Sequence, residues 1–314
     1  MHRNGWVPFF LVPLTIILQT ASKNITCWEL PCRHNRYHFD CCIRQLEIDD
    51  RTTIEYANFA KQQYVLLEDS NIFTVSPQLF ELMVDAKMLE ISGGFVPWVH
   101  LQPSVTVLII YDSQTKKIFV DPEEKKYRLI WLEVRNVTMK EVPPYLHQLR
   151  NLEHIGLVSA GLEYLVMDQF DGLNKLEELD LSCNNILQIH INFPMRLPAL
   201  RTLHLNGNKL TAIDIGYWHM PELTTFDLSS NRLKYIANYN SNQMEKLCAI
   251  KAEQNRWNCK WLAEFLHACF HFKGYGFSDT QVECDEDEEW HENCCYGNET
   301  ESSYHDYLKE MHLI

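Results

Sequence analysis

The chain has 314 residues, 46% apolar and 22% charged, an ordinary balance for a globular protein. Lys and Arg total 28 against 42 Asp and Glu, a formal charge of -14, which argues against nucleic acid as a partner because phosphate binding needs a basic surface. Length alone suggests about two domains, yet no long Pro or Gly linker divides the chain.

Residues 1–22, MHRNGWVPFFLVPLTIILQTAS, have a basic start, an apolar run from Trp6 to Leu18 and the small residues Ala21 and Ser22. This is the pattern of a cleaved secretory signal peptide. The run is interrupted by Pro8 and Pro13 and falls well short of the roughly 20 residues that a helix needs to span a bilayer. No later stretch is apolar for long enough to cross a membrane, so a secreted, extracellular protein without a membrane span is expected. Eleven cysteines suit that oxidising compartment. Residues 23–60 read as an N-terminal Cys-rich cap with Cys27, Cys32, Cys41 and Cys42. The adjacent Cys41 and Cys42 are expected to send bridges in different directions, because neighbouring side chains on an extended strand point to opposite faces.

Residues 61–246 carry repeats. One phrase appears as LEHIGLVSAGL from Leu152, LEELDLSCNNI from Leu176, LRTLHLNGNKL from Leu200 and LTTFDLSSNRL from Leu223, then as a degraded LCAIKAEQNRW from Leu247. The spacing between successive starts is nearly constant. A period in the twenties with the pattern LxxLxLxxNxL is the leucine-rich repeat signature. Weaker copies lie upstream. QQYVLLEDSNIF places Val65, Leu67 and Ile72 at the apolar sites, AKMLEISGGFV places Ala86, Leu89, Ile91 and Val96, VTVLIIYDSQT places Val105, Leu108 and Ile110, and RLIWLEVRNVTM places Leu129, Leu132, Val134 and Met139. The step from Ala86 to Val105 is shorter than the others, so either one convex segment is short or the register slips there. The predicted fold is an α/β leucine-rich repeat solenoid, a curved parallel sheet of about eight repeats with disulfide-stapled N- and C-terminal caps.

Asn184, Asn208, Asn231 and Asn255 recur at the ninth position, where an amide with donors and acceptors can satisfy backbone groups as the chain leaves each strand. Earlier copies carry Ser70, Gly94, Ser113, Val137 and Ala160 there, so the early half is expected to be less regular. Phe80, Phe170 and Trp218 share the nineteenth position and are expected to fill the convex side as core.

Residues 247–295 read as a C-terminal Cys-rich cap, with NRWNCKWLAEFLHACF closing the array through a short amphipathic helix bearing Trp261, Leu262, Phe265 and Leu266. Structural disulfides are expected among Cys27, Cys32, Cys41, Cys42, Cys248, Cys259, Cys269, Cys284, Cys294 and Cys295. Cys183, inside the array, is the candidate odd or intermolecular cysteine, which makes a dimer possible in principle; a cap cysteine could be the odd one instead. Seven carboxylates lie between Glu283 and Glu292, either a solvated loop or a site for a cation or basic partner. Residues 296–314 form a short tail.

Enzymatic patterns are poor. His267 and His271 have metal-ligand spacing but no companion carboxylate, and two ligands do not make a site, so surface or packing roles are expected. His291–Glu292 lacks a metalloprotease's second His, and neither a phosphate loop nor a nucleophile elbow occurs. A non-enzyme without metal or cofactor is expected. Binding is expected on the concave face, where the third, fifth and seventh repeat positions alternate outward. In the early half these are Tyr64, Leu66, Met88, Val107, Ile109, Tyr111 and Trp131, an apolar patch of the kind that marks interaction surfaces; a one-residue slip would turn the same set into core. In the later half they include His154, Glu178, Asp180, His204, Asn206, Thr225 and Asp227. N-glycosylation sequons occur at Asn24, Asn136 and Asn298, and Asn136 falls at the eighth position, on the rim of that face.

The signal peptide, the block LEELDLSCNNI…LRTLHLNGNKL…LTTFDLSSNRL, the closing NRWNCKWL and the doublet Cys294–Cys295 together resemble the secreted leucine-rich repeat immune proteins of mosquitoes. Long members of that family continue into a C-terminal coiled coil. Only the short tail follows Cys295 here, so the likeness is to the coil-less subgroup. The resemblance implies innate immunity: binding of a complement-like thioester protein, a related repeat protein or a pathogen surface component. The alternative is an extracellular adhesion or receptor-binding repeat protein in development.

Overall fold

The computed structural model describes residues 22–26, 41–49, 53–58, 62–83, 85–239, 241–247 and 249–258. Expectations for the signal segment up to residue 21, for all cysteines except Cys41, Cys42 and Cys183, for Asn298, for the histidine pair, the acidic stretch and the tail lie outside these residues.

Where inward-facing apolar residues recur at period two, the chain forms a strand. Ten such strands are β1 (Cys41–Arg44), β2 (Tyr64–Glu68), β3 (Met88–Ser92), β4 (Val107–Tyr111), β5 (Trp131–Arg135), β6 (His154–Val158), β7 (Glu178–Asp180), β8 (Thr202–His204), β9 (Thr225–Asp227) and β10 (Ala249–Lys251). They pair in chain order, each parallel to the next, in one sheet. The expected N-terminal cap thus supplies a strand of its own, β1. Val107 of β4 sits beside Met88 of β3 and Trp131 of β5. The short step from Ala86 to Val105 is therefore a short convex segment, and the strands keep their register across it.

The inward side chains stack in rungs. Val65, Leu89, Leu108, Leu132, Ile155, Leu179, Leu203 and Phe226 are successive partners across the sheet, and all are buried within one continuous core. A buried leucine contributes about 1.5–3 kcal/mol relative to an exposed one, so the stack's cohesion grows with each added turn. Phe80, Phe170 and Trp218 are buried on the convex side, where short parallel ladders such as Leu165–Val166 with Ile189–His190 replace long helices. Phe80 lies on the one-turn helix α1 (Pro77–Glu81), capped by Ser76 Oγ, which accepts from Leu79 N at 3.3 Å. At the far end Trp257 occupies the site filled by Leu or Ile in the four preceding repeats, and its Nε1 donates to Ala252 O at 2.8 Å.

The sharp exit from each strand falls at one position. Gln45, Asp69, Gly93, Asp112, Asn136, Ser159, Cys183, Gly207, Ser230 and Gln254, the eighth residues of successive repeats, all have φ between 46° and 75°. Only two of the ten are glycine, so left-handed backbone is imposed at eight side-chain-bearing positions. The next residue must then satisfy backbone groups that the turn strands inside. Asn208 does so with one amide: Oδ1 accepts from Ile186 N at 3.1 Å, and Nδ2 donates to Leu181 O and Leu205 O, each at 3.0 Å. Asn184, Asn231 and Asn255 repeat this pattern. Early repeats solve the problem variously. Ser70 Oγ accepts from Leu46 N and donates to Glu68 O, and Thr115 donates to Val96 O. Gly94 leaves room for the Ser70 backbone, which a Cβ would strike.

The cysteine doublet divides differently from expectation. Cys41 points into the core and is disulfide-bonded. Cys42, on the opposite face of β1, is a buried thiol beside the Arg44 guanidinium, so the doublet does not launch two bridges.

Replacing Asn208 by Ala should lower stability by roughly 2–4 kcal/mol, since three buried backbone groups lose a partner at about 1 kcal/mol or more each. Exposed Asn185→Ala should change it by less than about 0.5 kcal/mol. Urea unfolding followed by circular dichroism compares the two; equal effects would deny the ladder its role.

Candidate functional site

The outward residues of the sheet form three rows. Tyr64, Met88, Val107, Trp131, His154, Glu178, Thr202 and Thr225 make the first, at the entry end of the strands. Cys42, Leu66, Glu90, Ile109, Glu133, Gly156, Asp180, His204, Asp227 and Lys251 make the second. Arg44, Glu68, Ser92, Tyr111, Arg135 and Val158 make the third, at the exit end.

All seven apolar residues expected on this face stand in these rows, but direction is not exposure. Tyr64 and Trp131 are 41% and 39% exposed, and Val107 and Tyr111 are half-buried. Leu66, Met88 and Ile109 are buried. Strands lie about 4.8 Å apart, which sets Leu66 between Cys42 and Glu90, Met88 between Tyr64 and Val107, and Ile109 between Glu90 and Glu133. These three are not available for contact, so the apolar patch shrinks to two anchors and their half-buried neighbours.

Around Trp131 the face is built from charge. Glu133 is buried, with Oε2 2.5 Å from His154 Nε2 and the Arg135 guanidinium on Oε1. Gly156 makes this possible, because a Cβ there would run into the Glu133 carboxylate. On its other side His154 Nδ1 lies 3.2 Å from Glu178 Oε2, without hydrogen-bond alignment. The Trp131 indole stacks on the His154 ring, centroids 3.7 Å apart and planes 13° apart. Burial pushes the Glu133 carboxyl up, but the His154 hydrogen bond and the Arg135 guanidinium outweigh it and hold it below the ordinary carboxylate range. A buried charge paired and hydrogen-bonded in this way is a rigid platform. Glu133, Arg135 and Gly156 were not singled out from the sequence, although Glu133 and Arg135 occupy the fifth and seventh positions of the repeat whose third position is Trp131.

A second polar group lies further along. Asp227 accepts from Ser229 Oγ at 2.6 Å and Ser229 N at 3.1 Å, with Lys251 Nζ at 3.4 Å. His204 Nδ1 is 3.8 Å from Asp227 Oδ2, an ion-pair separation rather than a hydrogen bond. Burial opposes ionisation of Asp227, yet His204, Ser229 and Lys251 prevail and lower its pKa to about 2. The carboxylate of Asp227 in turn raises the pKa of His204 against the effect of burial, helped by Asp180 and Glu178. Among the described residues no group of three or more His, Cys, Asp or Glu is placed to hold a metal ion, and no helix is long and apolar enough to cross a membrane. Cys183 is exposed on the rim and outside any disulfide, and Asn136 is exposed on the same rim. Asn24 falls within a two-strand ladder, Ser22–Thr26 beside Thr53–Asn58.

The pair has a pH signature. Stability from the lowered Asp227 is present above its unfolded pKa of about 3.9 and lost as pH falls toward 2. Stability from the raised His204 is complete below its unfolded pKa of about 6.5 and lost as pH rises through the folded value. Asp227→Asn should therefore lower the His204 titration midpoint, measured by NMR on the ring protons; an unchanged midpoint would break the link.

Known proteins of several kinds are similar to this chain. The family model for Leucine rich repeat matches residues 150–210, 174–233 and 198–256. Among curated proteins, Toll-like receptor 2 type-2 of Gallus gallus is 22% identical over 252 residues, 74% of this chain and 31% of that protein. Leucine-rich repeat and fibronectin type-III domain-containing protein 4 of Rattus norvegicus is 40% identical over 68 residues, 21% of this chain and 11% of that protein. A probable serine/threonine-protein kinase, pats1 of Dictyostelium discoideum, matches at 25% over 46% of this chain but only 5% of its own length. The chain thus spans less than a third of these curated relatives. Among solved structures, the leucine-rich repeat domain of LRIM1 superposes with a TM-score of 0.54 at 16% identity, covering 82% of this chain and 80% of that one. The LRIM1/APL1C complex gives 0.52 at 13%, covering 92% and 74%. At such identities the likeness is one of fold, and with the ten-stranded sheet and its asparagine ladder it establishes that this chain is a leucine-rich repeat solenoid.

Proposed function

We propose that the chain is a secreted, non-catalytic protein-binding module of innate immune recognition, and that its concave face takes the partner. The observation that carries this reading is Trp131: a large aromatic side chain, 39% exposed, stacked on His154 on the middle strands of the sheet, at the entry edge of the face. Rigid exposed aromatics are the usual anchors of protein interfaces. Glu178 and Asp180, both half-exposed, stand on the strand two places along. A partner segment offering an apolar side chain to Trp131 and a basic one to these carboxylates would meet complementary chemistry.

Support for an immune setting comes from similarity to a Toll-like receptor, and support for a protein partner from a solved neighbour that is itself a complex, LRIM1/APL1C. The candidates are a complement-like thioester protein, a related repeat protein or a pathogen surface component. The adhesion reading draws on the 40% match to the repeat and fibronectin protein.

Surface plasmon resonance with each purified candidate distinguishes these readings. One immune component should bind, and Trp131→Ala should weaken it about 30-fold, the equivalent of about 2 kcal/mol, with the circular dichroism spectrum unchanged. Binding to uninfected host tissue alone, with none to any immune component or microbial surface, would replace the immune reading by adhesion.

A further inference from the structure

We infer that Asn136 carries an N-linked oligosaccharide, and that this oligosaccharide screens the thiol of Cys183 from other proteins. Two independent placements support it. First, Asn136 and Thr138, the acceptor and hydroxyl residues of the sequon, are both exposed, with Val137 between them turned into the core. Asn136 has φ of 55°, a left-handed turn that asparagine tolerates better than most residues. Its side chain points away from the core and donates through Nδ2 to Asp112 Oδ1 at 2.8 Å.

The chemistry is compatible with that contact. Transfer forms a bond from Asn136 Nδ2 to C1 of the sugar and breaks the bond from C1 to the pyrophosphate of a lipid-linked oligosaccharide donor. One amide proton leaves, and the lipid pyrophosphate departs with the electron pair. The product is a secondary amide with one N–H remaining, enough to keep the hydrogen bond to Asp112. The reaction occurs on the nascent chain, so the requirement on the fold is that the sugar remain outside, and the exposed rim meets it.

Second, Asn136, Ser159 and Cys183 are successive members of the left-handed column, and β5, β6 and β7 are adjacent strands. Two strand spacings put the acceptor and the thiol roughly 10 Å apart. A branched oligosaccharide exceeds that distance. Cys183 is exposed, outside any disulfide, and packed against Gly207, whose lack of a side chain leaves the sulfur open on that flank. The opposite flank is the one the glycan would cover. Trp131 lies at the other end of β5 from Asn136, so the first row of the binding face stays clear.

The inference rests on the secreted reading, and its test separates the two. The full chain is expressed with its own leader in eukaryotic cells. Retention inside the cells would remove the secreted reading itself. For secreted protein, release of N-glycans by glycosidase in heavy-oxygen water should convert Asn136 to labelled Asp, read by peptide mass spectrometry; secreted protein with unmodified Asn136 overturns the proposal. Cys183 reactivity is then compared between wild type and Thr138→Ala, which abolishes the sequon at an exposed position while keeping Asn136. A polymer-linked maleimide should react several-fold faster with the variant, whereas small N-ethylmaleimide should react equally with both. With dissolved dioxygen as the two-electron oxidant, reduced to hydrogen peroxide as two thiols lose their protons, the variant should form a disulfide-linked dimer on non-reducing electrophoresis that Cys183→Ser removes. Equal rates with the polymer reagent overturn the screening.

Discussion

Every strand of this solenoid ends inside the protein's own wall, and the backbone groups released there need partners. A buried amide or carbonyl left without one costs about 1–3 kcal/mol, and the array meets that cost at every turn. The asparagine ladder answers it economically, because a single side chain serves the strand it follows, the strand before it and the turn between them. The left-handed residue just before each ladder position aims the amide inward. Leucine rungs, convex aromatics and sheet register can then repeat with little variation. In the repeats of Ser70, Gly94 and Thr115 a hydroxyl or a close backbone approach substitutes, and the sequence looks irregular although the strand pairing continues unbroken.

The scaffold was legible in the sequence because its determinants are local and recur. Val65, Leu89 and Leu108 occupy equivalent sites in weak repeats, and their neighbours fix the frame even when asparagine is absent. Alternation also revealed which side chains face outward. It could not reveal how deep they lie: Leu66, Met88 and Ile109 have the same direction as Tyr64 and Trp131 but are enclosed by their row neighbours. The buried charge was harder still to foresee. Glu133 is held by Arg135 from its own strand, by His154 from the next strand and by the missing side chain of Gly156. None of these is a motif, and their association exists only once neighbouring turns are stacked. The cysteine doublet teaches a similar lesson, since adjacency predicted opposite faces but not that one sulfur remains a thiol.

The concave surface is consequently uneven. Its middle presents one aromatic platform on a clamped ion-paired base, and its later part presents the half-exposed Glu178 and Asp180, followed by His204, the buried Asp227 and Lys251. Rigid charge networks of this kind orient a partner and reject mismatched charge more than they add raw affinity. Apolar contact is confined to a few side chains, so under the proposed function recognition by this face would depend on matching both a hydrophobic knob and the pattern of charge around it.

The left-handed column has one more implication. Its side chains stand in solvent at the spacing of the strands, and the backbone there is already bent whatever residue is present. Such a line of positions behaves like a pegboard: the scaffold carries an asparagine on one peg, a thiol two pegs on and serine between them, with the strand pairing behind them unbroken. New attachments can be acquired, lost or moved along that line one residue at a time, and the distance between any two is set in advance by the sheet.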